Sequence, residues 1–175
     1  MLNELNSIVK HDLTKLLSDP SKWESLIINR RKPFTYRAFT YVDKLRVSLH
    51  RFEECDESEA FVHPHPWPGA FLLVKGSYDM KLGYSKDRVS PPENVSRLIL
   101  NQGARYEITS PLTWHSVTPL SECWTIMVNG DPWPSDFAHK EVRTTRGKDL
   151  EKMSPQQLLE HLQFFEEHLN DLSTM

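Results

Sequence analysis

Phe61-Val-His-Pro-His-Pro-Trp-Pro-Gly69 is the stretch on which the reading of this chain turns. His63, His65 and Trp67 each precede a proline, and a residue before proline is driven out of the α region into extended backbone. The segment is therefore extended and stiff. In an extended chain, residues two apart project from the same face, so His63 and His65 point together, as two ligands of one metal ion must. The prolines also remove every second backbone donor. That places the strand at a sheet edge, or takes it out of the ladder there, which suits the mouth of a site.

Two histidines do not make a metal site. The candidate for a third ligand is His115, in Thr113-Trp-His-Ser-Val117, a run that reads as a strand with His115 and Val117 on one face. Imidazole suits zinc, copper, iron and nickel. Neutral rings leave the full 2+ charge on the ion, which favours an anionic, chelating substrate or a bound hydroxide. The plainer alternative is a polyproline-like surface loop whose imidazoles face water. The hairpin that follows and the third histidine favour the site.

Outward from this stretch, residues 33–130 carry short runs rich in Val, Ile, Phe, Tyr and Thr, broken by turn residues. Leu45 to Phe52 alternates with period two. Phe71 to Lys75 is apolar and ends at Gly76-Ser77, with Tyr78 to Tyr84 beyond, which predicts a hairpin. Arg97–Leu100, Ala104–Ile108, Trp114–Thr118 and Cys123–Asn129 supply further strands. The expected class is mainly β, a sandwich or jelly-roll barrel.

Helical segments flank the strands. In residues 1–32, Leu2, Leu5, Ile8, Val9, Leu13, Leu16 and Leu17 form one helical stripe. Asp19-Pro20 then stops that helix and starts a second, with Trp23, Leu26 and Ile27 on its apolar face. Residues 131–175 hold a C-terminal extension and helix. Ser154-Pro155-Gln156-Gln157 is a capping box, followed by a stripe of Leu158, Leu159, Leu162, Phe165, Leu169 and Leu172. Such a helix covers either its own barrel or a partner subunit, the latter giving a homodimer. His161 and His168, two turns apart on it, are too distant for one metal and are expected near its surface. The three segments form one structural domain.

The 175 residues are 38% apolar and 26% charged with a net charge of -3, ordinary for one globular domain. The acidic balance carries no electrostatic footprint for nucleic acid, and Arg30-Arg31-Lys32 is the one notable basic run. No segment has the ~18 apolar residues of a membrane span. The opening residues lack a basic start before an apolar core, so no secretion signal is expected. Cys55 and Cys123 then read as reduced thiols, and the expected compartment is the cytoplasm.

The histidine constellation resembles the cupin superfamily, whose first motif places His-x-His before a Glu and ends at a Gly, and whose second carries another His on a later strand. His63-Pro-His65 and Gly76 match the first motif and His115 the second. More narrowly, the chain resembles small bacterial and phage cupins with a His-x-His-Pro-Trp segment, an aliphatic strand ending in Gly, and a later Trp-Thr strand. Here these are His63–Trp67, Phe71–Gly76 and Trp124–Val128. The resemblance implies a cupin-type jelly-roll β-barrel holding one divalent metal, iron first and zinc or nickel as alternatives. The usual motif Glu falls at Gly69 or Ala70, and Ser110-Pro-Leu-Thr-Trp-His115 lacks the usual Pro-x-Gly. A three-His set without Glu resembles the thiol dioxygenases, whose further His and Tyr after the third ligand are missing here.

Two functions follow as expectations. One is an iron-dependent, dioxygenase-type oxidoreductase acting on a small anionic chelating substrate. The other is a non-redox cupin that binds a small molecule or carries zinc or nickel without oxygen chemistry. Tyr78, Tyr84, Trp124 and Arg46 are candidate pocket residues. The plainer readings make the tyrosines and Trp124 core aromatics. They place Arg46, Ser48 and His50 on a solvated sheet face, with Val47 and Leu49 inside. No general base can be named.

Overall fold

The computed structural model describes residues 1–134 and 150–173. Residues 135–149 of the expected C-terminal extension and the side chain of Leu172 lie outside that description. The chain opens with helices α1 (Leu2–His11) and α2 (Leu13–Leu17) and a 3-10 turn at Pro20–Lys22. Ten strands follow: β1 (Glu24–Ile28), β2 (Thr35–Val42), β3 (Leu45–Phe52), β4 (His63–Pro64), β5 (Gly69–Lys75), β6 (Ser77–Tyr84), β7 (Ser96–Asn101), β8 (Arg105–Ile108), β9 (Thr113–Pro119) and β10 (Cys123–Asn129). Helix α3 (Pro155–Ser173) closes the chain.

The strands make two antiparallel sheets, one in the order β1-β2-β3-β10-β5-β8 and one in the order β4-β9-β6-β7. This is the expected mainly-β, two-layer jelly-roll architecture. The short β4 is an edge strand, as its alternating prolines require.

Alternation then sorts the larger sheet into two faces. One carries Ala38, Val47, Leu49, Ala70, Leu72, Val74, Trp124, Ile126 and Val128, packed with Leu5, Ile8, Leu13, Leu17, Leu162 and Phe165 from the helices. Trp124 lies flat on Phe164 with ring centres 3.7 Å apart. The apolar stripe of α3 is thus spent on the chain's own sheet. Its start follows the capping-box prediction: Ser154 Oγ accepts from the Gln157 N–H, and Gln157 Oε1 accepts from the Ser154 N–H.

Three expectations fail, each for a physical reason. Trp23, Leu26 and Ile27 do not lie on a second helix: Pro20 starts only a 3-10 turn, and residues from Glu24 pair with β2 as an edge strand. The run Ser25-Leu-Ile-Ile28 holds two β-branched isoleucines, and tertiary pairing decides its state. Ile27 N–H also donates to Glu151 O at 2.7 Å, so the returning chain covers this edge. Second, β5 and β6 are not a hairpin. β5 pairs with β10 and β8, while β6 pairs with β9 and β7. Gly76, at φ +87°, is the corner where the chain changes sheets; a Cβ there would meet Glu122 O at 2.5 Å. Third, the face of Arg46, Ser48 and His50 is not a solvated one: Arg46 is half-buried and the other two are buried. Ser48 is 0% exposed and His50 3%, because the helices take the Val47–Leu49 face and leave the polar face to the interior between the sheets. No helix among the described residues is long and apolar enough to cross a membrane.

Candidate metal centre

His63 on β4 stands directly opposite His115 on β9, and directly opposed antiparallel residues share a face. His65 follows one alternation on, its backbone N–H donating to Thr113 O. The three rings are brought together. Ring centres are 4.7 Å apart for His63 and His115, 5.3 Å for His65 and His115, and 6.3 Å for His63 and His65. His65 and His115 are each 5% exposed.

Neighbours orient the rings. His63 Nδ1 lies 3.1 Å from Phe61 O, and His65 Nδ1 lies 2.8 Å from Trp67 O. A carbonyl only accepts, so each Nδ1 carries the proton and each Nε2 keeps its lone pair. His63 stacks on Phe61, whose other neighbour is the Arg31 guanidinium. The His65 carbonyl is held by Arg88 Nη2 at 3.0 Å and by the Trp133 indole N–H at 3.1 Å. Phe71 closes one side, with ring centres 5.4 Å from His65 and 6.2 Å from His115, and is itself stacked on Tyr106.

Burial holds the rings neutral. It pushes His65 down to about 3 and His115 well below the usual imidazole value, and also lowers His63. Neutral imidazole is the form that binds metal. Both His115 nitrogens are buried with no hydrogen-bond partner. An orphaned buried polar group points to something that completes it.

These residues fit a metal as a donor set. Three imidazoles around one ion at ~2.1 Å, at tetrahedral or octahedral angles, have ring centres roughly 4.5–5.5 Å apart; the two spacings to His115 fall there, and the 6.3 Å between His63 and His65 is wider. Among the described residues, however, no group of three or more His, Cys, Asp or Glu is arranged so that it could hold a metal ion as it stands. Imidazole rings turn about χ1 and χ2, so closing this trio on one ion requires such turns. No carboxylate stands at the position of the usual motif Glu: residues 69 and 70 are Gly69 and Ala70, both buried.

The other predicted pocket residues scatter. Tyr78 is buried, its hydroxyl donating to the Tyr106 hydroxyl at 2.9 Å within a cluster of Leu73, Met80 and Cys123. Tyr84 is 69% exposed at the end of its strand. Trp124 lies under α3 on the opposite face of the sheet. Arg46 alone joins the histidine side, its guanidinium 4.4 Å over the Trp67 ring. Phe71, Arg88, Tyr106 and Trp133 carried no signal in the sequence, since nothing in their local pattern distinguishes them from ordinary core or loop residues.

Solved structures share this architecture. Among them are hydroxypropylphosphonic acid epoxidase from S. wedmorenis, at 17% identity and TM-score 0.50 over 63% of this chain and 56% of that one. Another is FeII HppE, at 17% identity and TM-score 0.51 over 63% and 57%. The fold is that of a cupin. The chain spans little more than half the length of these structures. No protein-family model and no curated protein sequence matches it.

One histidine departs from its expected place. His161 is not at the surface of α3 but 4% exposed, its Nε2 3.1 Å from Leu49 O. Burial lowers its pKa to about 4, against ~6.5 when unfolded. Between those values the unfolded chain binds a proton that the folded chain refuses, so stability falls as pH drops from about 6.5 towards 4. The loss from this ring is of order 3 kcal/mol. Urea titrations from pH 7 to 4.5 should show a falling midpoint, and a shallower fall in His161→Gln; equal slopes would remove this ring from the account.

Proposed function

We propose that this chain is a metal-dependent oxidoreductase of the cupin fold, holding one divalent ion, iron first, on His63, His65 and His115. Its substrate is then a small anionic chelator. The observation that carries the reading is the trio itself: His63 directly opposite His115, His65 next to them, the last two buried, and both His115 nitrogens lacking partners. The solved neighbours support it only as enzymes of the same fold, one of them an FeII protein and one an epoxidase by name.

An iron(II) ion held by these three neutral nitrogen donors would keep its full charge and would supply Lewis-acid and dioxygen chemistry toward a chelating substrate. The chain's own residues do the rest. The Phe61 and Trp67 carbonyls fix the ring tautomers. Arg88 and Trp133 hold the backbone that carries His65. Phe71 and Tyr106 keep one side of the site apolar.

The test is element analysis of protein purified without a histidine tag, followed by oxygen-uptake measurements. The panel is small hydroxy acids, keto acids, phosphonates, thiols and diketones. Near-stoichiometric iron and uptake with one class is the expected result. Zinc or nickel with no uptake across the panel would replace this reading by the non-redox one, and absence of any bound metal would end the metal reading and leave only a small-molecule-binding cupin.

A further inference from the structure

Opposite the histidines, the inner face of the larger sheet carries a second polar group that the metal reading leaves unused. Arg46, Ser48 and His50 follow one another on the inward face of β3, with Asn129, Met127 and Thr125 of β10 opposite and Tyr41, Phe39 and Arg37 of β2 on the other side. Arg37 Nε donates to His50 Nε2 at 2.8 Å. Arginine has no acceptor, so His50 is the neutral acceptor and its Nδ1–H faces Thr125 Oγ1, 3.3 Å away.

Arg46 is held in the same way. Its Nε donates to Asn129 Oδ1 at 3.3 Å and its plane lies over Trp67. Two guanidiniums are therefore fixed in a half-buried interior, and among the described residues neither pairs with a carboxylate; Arg46 has only Tyr41 as a favourable charged-state neighbour. Their charge reaches the histidines, lowering His65, which feels both. A buried charge without a counter-charge is costly.

The partners of this wall are incomplete. Arg46 Nη2 and Ser48 Oγ are buried with no hydrogen-bond partner, as are the His115 nitrogens and the Trp67 indole N–H. Arg46 Nη2 and Trp67 Nε1 can only donate and Ser48 Oγ can donate. Donors left bare beside uncompensated positive charge describe the complement of an oxyanion.

We propose that Arg46 and Ser48 form a subsite for the oxyanion group of the substrate, a carboxylate or a phosphonate. Arg37 reinforces its charge, and Asn129 and Trp67 position the Arg46 fork. This deepens the metal reading, on which it rests for the identity of the pocket. It makes Arg46 a specificity-determining residue: molecules lacking an anionic group are excluded because nothing else satisfies these donors.

The experiment is titration calorimetry on the full chain, as purified and after chelator dialysis, with methylphosphonate, inorganic phosphate, succinate and the uncharged succinamide as probes. At least one anion should bind the metal-free protein while succinamide does not, and which anion binds separates phosphonate from carboxylate. Arg46→Met should weaken that binding at least tenfold with metal content unchanged, and Arg46→Lys should restore part of it. Ser48→Ala, a change too small to threaten folding, should weaken it several-fold. Wild-type protein that binds none of the anions, or Arg46→Met and Ser48→Ala variants that bind as wild type does, would overturn the subsite. Anion binding by a chain that takes up no metal would sustain the subsite and remove the metal reading, so the two failures are distinct.

Discussion

His115→Ala is expected to keep its fold and to lose at least ~100-fold in metal affinity, beyond the 10–100-fold typical when only an outer partner of a ligand is removed. His115 is the hub of the trio, with ring centres 4.7 Å from His63 and 5.3 Å from His65, whereas those two are 6.3 Å apart. Without it, two imidazoles remain on one edge strand with no third donor facing them. The metal-free variant should be about as stable as the metal-free parent. Losing the ring leaves a cavity, but it also removes two buried nitrogens that lack partners, and each such group costs about 1–3 kcal/mol. The discriminating measurement is the metal-dependent thermal shift. A ligand at 100 times its Kd stabilises by about 2.7 kcal/mol, so added iron(II) under anaerobic conditions should raise the parent's Tm and leave that of the variant unmoved. An equal shift in both proteins would take His115 out of the site.

How much of this was legible beforehand depends on what each residue type dictates locally. Proline restricts the residue before it whatever the fold, so the stiff edge and the common direction of His63 and His65 could be read from the chain, and β4 is an edge strand. The strand at Cys123–Asn129 has the bounds its composition predicts. The partners of β5 and β6 were not legible, because Gly76 marks a turn equally well within one sheet or between two. On β3, Val47 and Leu49 are inside as expected, but the Ser48–His50 face is buried as well and not solvated. Alternation shows that Val47 and Leu49 share one face and Ser48 and His50 the other, but not which face meets water. A signal did exist: the helical stripes in residues 1–32 and 154–175 must cover an apolar sheet face. Assigning Val47, Leu49, Trp124 and Ile126 to them leaves Arg46, Ser48 and His50 to the interior. Nothing local marks Arg88 or Trp133, which act on the His65 carbonyl from distant loops.

The second large effect is expected at Phe165, on the far side of the same sheet. Phe165 is 0% exposed, with its ring 5.6 Å from Trp124 and from His161 and 5.8 Å from Phe164. Phe165→Ala removes this ring from a cluster that cannot close around the gap, because Trp124 is already fixed flat against Phe164. The expected cost is about 3–5 kcal/mol, a large part of the 5–15 kcal/mol typical of a domain. The Tm should fall by roughly 6–20 °C. Leu159, 39% exposed on the same helix, is the control, and its alanine variant should change stability by less than ~1 kcal/mol. Urea unfolding with an unchanged slope measures both. A loss at Phe165 no greater than at Leu159 would mean that α3 contributes little to holding the sheet. β3 and β10 present Leu49 and Trp124 to this helix and Arg46, His50 and Asn129 to the interior, so the helix would then have no part in placing the proposed anion subsite. If the large loss is found, α3 fixes from outside the two strands that carry that subsite, and metal binding by Phe165→Ala below its Tm should survive, since His63 and His115 belong to the other sheet and His65 follows directly on β4.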